Sequence, residues 1–147
     1  MRNTKYNEGF TLVELLAVIV VLAVIMVIAG TSILRVINRN NADAFVSTAQ
    51  MAYDTLKKCK ASKLERTDCE NMIEGPGTDY TISVDLEAGI YTYTLTATTG
   101  ANGGKFKNVE ANLKEYYGNN AKTECDMDKI KNAGVIECSG STIKGSY

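Results

Sequence analysis

With 147 residues and a net charge of −1, the chain is long enough for about one domain and lacks the positive excess with which proteins bind nucleic acid. Histidine is absent, which excludes a catalytic triad built on histidine, a histidine metal site and a histidine pH switch. The informative features are therefore the apolar segments, the carboxylates and the four cysteines.

The chain begins with a polar leader, residues 1–9, which is followed by an apolar run over residues 10–30. As a helix these 21 residues would extend over about 30 Å, which is the thickness of the hydrocarbon core of a bilayer. Arg2 and Lys5 give the leader a small positive excess, although two arginines beyond the run weaken this signal. We therefore predict a membrane-spanning segment with a cytoplasmic leader.

Two ordinary interpretations of the run are open. In the first it is a secretory signal, removed at the small-residue site before Gly30. In the second, Thr11 and Glu14 form a capping box, in which each side chain accepts a hydrogen bond from the backbone of the other residue at a helix start. Both interpretations are physically sound.

Residues 31–60 continue the helical pattern. Apolar residues recur there every three or four positions, which is the repeat of one helical face, and polar residues lie between them. This apolar face consists of Phe45, Ala49, Ala52, Leu56 and Cys59. A removable signal needs no such extension, so we predict one helix from about residue 10 to about residue 60, embedded in lipid first and amphipathic later.

The segment Gly9-Phe10-Thr11-Leu12-Val13-Glu14-Leu15-Leu16 resembles the class III signal of type IV pilins and pseudopilins, which has the pattern G-F-T-L-x-E. The resemblance is specific, because a polar leader, a Gly-Phe pair, a glutamate four residues after the phenylalanine and a spanning run must all coincide. The rest of the chain shares with these families only the order of helix, head and C-terminal cysteines.

The resemblance implies that a prepilin peptidase in the membrane cuts between Gly9 and Phe10 and methylates the new amino group of Phe10. Gly9 suits such a site because it has no side chain, so the backbone can extend into a narrow cleft. The leader, residues 1–9, would be lost, and the helix would stay in the membrane.

The resemblance also implies a role for Glu14 in assembly, as the partner of the Phe10 amine on a neighbouring subunit. A carboxylate inside a membrane is costly and usually has a partner. An opposite charge in a medium of low dielectric favours both ionised forms and penalises a wrong axial register. The capping box with Thr11 is the alternative explanation.

Gly30, Thr31 and Ser32 follow the apolar run, and glycine and serine weaken a helix. Many pilins have a proline in this neighbourhood, whereas the single proline of this chain is Pro76. The segment is therefore either a soft point of the helix or the place where the helix leaves the membrane.

Residues 61–147 are predicted to form a globular head. After a polar stretch over residues 61–74, several segments alternate β-branched or aromatic residues with polar ones, and residues 87–89 make a compact hairpin link. Residues 105–117 fit either a further strand or a helical turn. The predicted strands comprise residues 80–86, 90–96, 134–138 and 142–143. The fold class is thus α+β, with the long helix packed through Phe45 and Leu56 on a small antiparallel sheet.

Two weaker signals in the head are set aside. The glycine-rich segment over residues 100–104 lacks the Lys-Ser/Thr ending and the following helix of a phosphate-binding loop. The acidic residues within 124–128 depart from the EF-hand pattern at its later ligands and glycine. Since no paired carboxylates or nucleophile motif occur either, we expect no enzymatic activity, no cofactor and no metal.

The cysteines are Cys59, Cys69, Cys125 and Cys138. They lack the C-x2-C spacing of zinc sites, and an even number in a small head outside the membrane favours two disulfides. The spacing does not fix the connectivity. Pilins commonly have a C-terminal cysteine loop, and this resemblance implies sequential pairing, Cys59 with Cys69 and Cys125 with Cys138. Free thiols in a reducing compartment are the alternative.

Three classes of function follow. The first is the structural subunit of a type IV pilus, a helical homopolymer that depends on prepilin peptidase, an inner-membrane assembly platform and a separate assembly ATPase, and serves adhesion or motility. Such a subunit begins as a single-pass precursor in the cytoplasmic membrane and ends in the surface pilus. The second is a pseudopilin or minor pilin for type II secretion or DNA uptake. The third is a membrane-anchored binding module or enzyme with an accidental motif.

Overall fold

The computed structural model describes residues 11–73, 79–99, 104–118 and 125–147. Contacts divide the chain into two compact units, residues 1–36 and 37–147. The predicted leader and cleavage site at Gly9 and Phe10, residues 100–103 of the glycine-rich segment and residue 124 of the acidic segment lie outside the described residues.

Helix α1 spans Leu12–Ala61, which confirms the prediction of a single long helix. The helix continues without interruption through Gly30, which the sequence indicates as a possible weak point of the helix. The hydroxyl of Thr31 lies 3.5 Å from the carbonyl oxygen of Ile28, so this polar side chain is directed back to the helix backbone. Nothing in this segment breaks the helix of a single chain.

The second unit contains a four-stranded antiparallel sheet in the order β1-β2-β4-β3. The strands are β1 Tyr80–Glu87, β2 Ile90–Ala97, β3 Val135–Ser139 and β4 Thr142–Ser146. A two-residue turn joins the first two strands, with positive φ angles of 49° at Ala88 and 78° at Gly89. Two such residues give the turn a twist that matches the strands. The hairpin link is therefore one residue shorter than predicted, because Glu87 pairs with Ile90.

Two short helices complete the head, α2 over Arg66–Ile73 and α3 over Val109–Tyr117, with 3-10 turns at Gly104–Phe106 and Met127–Ala133. Helix α3 resolves the ambiguity of residues 105–117, because Val109, Asn112 and Leu113 lie on one buried face. Helix α2 was not predicted. It buries only Cys69 and Ile73, and two residues make too short a pattern to be recognised.

The core of the head lies between α1 and the sheet. Phe45 and Leu56 of α1 are fully buried, as are Tyr93 and Leu95 of β2. The ring of Phe45 packs edge to face on Phe106 with centroids 5.1 Å apart. The predicted packing of the apolar face of α1 on the sheet is confirmed.

Helix α2 covers the outer edge of β1. The backbone N–H of Val84 donates to Oε1 of Glu70 at 3.2 Å, and Arg66 contacts both Glu70 at 3.2 Å and Asp85 at 3.4 Å. The hydrogen bond from Val84 and the one from Arg66 hold the pKa of Glu70 below its usual value. Because α2 covers this edge and Glu70 occupies the Val84 N–H, β1 is a poorer template for unwanted strand pairing.

Helix α3 is tied to α1 by the hydroxyl of Tyr117, which donates to Oδ1 of Asp43 at 2.7 Å. Burial, together with this hydrogen bond and the nearby negative charge, raises the pKa of Tyr117 to about 12. A second bond of this kind joins β2 to the 3-10 turn at Met127–Ala133: the buried hydroxyl of Tyr93 donates to the carbonyl oxygen of Ala133 at 2.7 Å. The two bonds therefore attach α3 to α1 and the 3-10 turn at Met127–Ala133 to β2.

Candidate functional site

The first turn of α1 carries the residues that the sequence singled out. The backbone N–H of Thr11 donates to Oε2 of Glu14 at 3.0 Å, and the backbone N–H of Glu14 donates to the hydroxyl oxygen of Thr11 at 3.3 Å. The Thr11 hydroxyl also lies 3.0 Å from Oε2. This is a reciprocal capping box, which satisfies two N–H groups that have no partner within the helix. In a single chain, therefore, Glu14 caps its own helix.

The capping box holds the Glu14 carboxylate at the N-terminal end of the helix and uses only some of the hydrogen-bond acceptor positions of that carboxylate. Both contacts with Thr11 fall on Oε2, and a carboxylate has about four acceptor positions on its two oxygens. The Oε1 oxygen is therefore a suitable acceptor for a second donor. Phe10, the predicted source of that donor, lies outside the described residues.

The rest of the first unit is an apolar surface around this carboxylate. Every large apolar side chain from Leu12 to Val36 is exposed. Glu14 and Arg35 are the only charged residues in this stretch of sequence. A helix that is apolar on all sides belongs in a bilayer or in a bundle of similar helices. The first part of α1 is long and apolar enough to cross a membrane.

Residues 4–30 match the family model described as the prokaryotic N-terminal methylation motif, the class III signal of type IV pilins. This motif supports a type IV pilin- or pseudopilin-like protein and does not distinguish a major pilin from a pseudopilin. No curated protein and no solved structure matches it. The motif implies prepilin peptidase and pilus assembly machinery in general, and together with the apolar helix it indicates membrane insertion of the precursor.

The second unit, residues 37–147, contains two disulfides with sequential pairing. Cys59 at the end of α1 bonds to Cys69 of α2, and Cys125 bonds to Cys138 of β3. The Cα atoms are 5.7 and 5.5 Å apart, which is ordinary disulfide geometry. Cys59 and Cys69 are completely buried, whereas Cys125 is partly exposed.

The difference in burial predicts a difference in accessibility. We expect a reductant to open the bond from Cys125 to Cys138 first under native conditions, and the bond from Cys59 to Cys69 only when the head unfolds. Stepwise alkylation and peptide mapping measure both the pairing and its order of opening. Denaturant should abolish the difference. Another pairing, or equal rates in the native protein, would contradict this prediction.

Proposed function

We propose that the protein is the structural subunit of a type IV pilus, which polymerises through the apolar first unit of α1 after prepilin peptidase has cut the chain behind Gly9. The exposed apolar surface from Leu12 to Val36 carries this proposal. Lipid covers that surface in the membrane. Once the subunit leaves the membrane, other copies of the same helix are the surface of matching chemistry, and a bundle of these helices would form the core of a filament.

Docking of one subunit onto another would use the carboxylate that the capping box already positions. Before cleavage Phe10 has no free amine, and Glu14 is satisfied by Thr11. Cleavage creates a positive charge at Phe10, which then serves as a donor to Glu14 of a neighbouring copy. In the apolar core this pair would be favourable only when the two helices have the correct axial register.

The proposal gives the protein a structural role rather than an enzymatic one. Its partners are further copies of itself, prepilin peptidase, an assembly platform in the inner membrane and a separate ATPase that supplies the energy. The second unit, residues 37–147, which includes the head, forms the surface of the filament and carries any adhesive or motility function. The precursor resides in the cytoplasmic membrane, and the product is a cell-surface pilus.

Electron microscopy of cells with and without the gene tests the proposal. We expect long filaments on the parent cells, none on the deletion strain, and their return on complementation, with this protein as the bulk component of sheared filaments. Unchanged filaments combined with a loss of protein secretion or DNA uptake would instead identify a pseudopilin or minor pilin, which carries the same N-terminal motif.

A further inference from the structure

An apolar groove opens on the surface of the head between α1, α2 and β1, with a volume of about 180 Å³. Its lining includes Thr48, Met51, Thr55, Met72, Tyr80 and Ile82. Met51 on the α1 wall is 70% exposed and Met72 on the α2 wall is 54% exposed. We call this site the methionine groove. A cavity of about 150 Å³ accommodates benzene, so this one has room for a branched aliphatic side chain.

The tip of the β1–β2 hairpin, residues 86–90, is an apolar projection on the same head. Leu86 is 40% exposed and Ile90 is 54% exposed. Leu86 lies two residues after the buried Val84, so the two side chains are on the same face of the sheet. Ile90 pairs with Glu87, and the side chains of this pair are on the other face. The hairpin tip is therefore a wedge with an aliphatic side chain on each face.

We propose that the hairpin tip of one subunit inserts into the methionine groove of the next subunit in the filament, an inference that rests on the proposed function. The groove has room for one aliphatic side chain of the tip, and a methionine on each helical wall can pack against that side chain. Methionine is unbranched and adjusts its shape to the group that packs against it. Insertion would remove from water Met51, Met72 and the inserted aliphatic side chain of the tip, all of which are exposed in a single chain.

The hairpin tip cannot reach the groove of its own chain, so a tip in the groove comes from another copy. Ile82 in the groove and Leu86 in the tip are four residues apart on the same strand, or about 13 Å at roughly 3.3 Å per residue. A paired strand cannot fold back over this distance to fill its own groove. Since groove and tip are different surfaces, the contact is head to tail, and repetition of such a contact produces open helical filaments.

The charges beside the two surfaces are complementary on the α1 wall of the groove, whereas the α2 wall carries the exposed Asp68 one turn before Met72. Asp85 and Glu87 flank the apolar residues of the tip, and both are exposed. On the α1 wall, Lys58 is the next residue in the row that contains Met51 and Thr55, and it is exposed as well. Insertion with the acidic side chains of the tip toward the α1 wall would bring them to a lysine, which favours this pairing over tip-to-tip contacts, where like charges would meet.

Cysteine crosslinking of the full-length protein in filaments tests the contact directly. The native cysteines are all in disulfides, so two introduced cysteines would be the only free thiols. We expect Ile90→Cys combined with either Met51→Cys or Met72→Cys to give a ladder of dimers, trimers and larger species on a non-reducing gel after mild oxidation. Ile90→Cys alone should give no ladder. Filaments of the double variants that give none with either partner overturn the proposal.

Substitution with a matched control provides the second test. Ile90→Asp and Met51→Asp should each cause loss of filaments at normal subunit levels, whereas Ile136→Asp should not. Ile136 is a suitable control because it is 50% exposed on β3 and belongs to neither surface. Normal filaments from Ile90→Asp overturn the head contact and leave the proposed function standing. Absence of filaments from the parent strain overturns both.

Discussion

Filaments are expected to fail, or to become rare, in the Glu14→Gln variant, although the subunit is still inserted, cut and present at normal levels. Glutamine keeps the shape of the side chain and removes its charge. The Phe10 amine of the neighbouring subunit would then lie in an apolar core without a counter-charge. Breaking a buried ion pair by removing one partner costs about 3–5 kcal/mol, and every subunit in the polymer would lose the same contact.

Two further variants separate this charge pair from the capping box. Glu14→Leu makes the run more apolar and easier to insert, so it should also give a stable, processed subunit that does not polymerise. Thr11→Val removes the hydroxyl that caps the Glu14 N–H but keeps the carboxylate. It should weaken the first turn by about 0.5–2 kcal/mol and still support filaments.

A pure capping role for Glu14 predicts the opposite order. The amide oxygen of glutamine can still accept the hydrogen bond from the Thr11 N–H, so Glu14→Gln would be nearly silent, and Thr11→Val would be the more harmful change. The measurement is filament yield at matched subunit levels in the membrane. Normal filaments from Glu14→Gln would refute the charge pair and leave Glu14 as a helix cap.

The elements with a long periodic pattern could be predicted from the sequence. The helix over residues 12–61 has a repeated apolar face, and the first hairpin alternates over eight residues in each strand. Helix α2 has neither feature. It is stabilised by the disulfide of Cys69 and by contacts of Glu70 and Arg66 with β1, which join residues far apart in the sequence. Local pattern cannot reveal such tertiary contacts.

The two sites with a proposed role in assembly, the Thr11–Glu14 capping box and the methionine groove, also differ in how far the sequence predicts them. Thr11 and Glu14 are three residues apart, so their interaction is readable from the sequence. The methionine groove combines Met51 of α1, Met72 of α2 and Ile82 of β1, which only the fold brings together. Its one signal in the sequence is Met51, a large apolar residue outside the buried row of the amphipathic helix.

Processing behind Gly9 is expected to give a mature chain that begins at Phe10, with a methyl group on its amine. Gly9→Val should block the cut, because a branched side chain next to the scissile bond clashes with a site shaped for an extended backbone. Mass spectrometry of the membrane and filament protein measures the N-terminus. Residues 1–9 should be absent from the parent protein and retained in the variant.

Ala29→Leu is the matched control for processing. An ordinary secretory signal would be cut before Gly30, and a large residue at position 29 would block that cut, whereas prepilin processing should be unaffected. A mature N-terminus at Gly30 would therefore refute our assignment. Since the Phe10 amine exists only after the cut behind Gly9, the Gly9→Val variant should also lack filaments. Glu14→Gln should lack filaments while it is cut normally, so the two variants separate the creation of the amine from its use in docking.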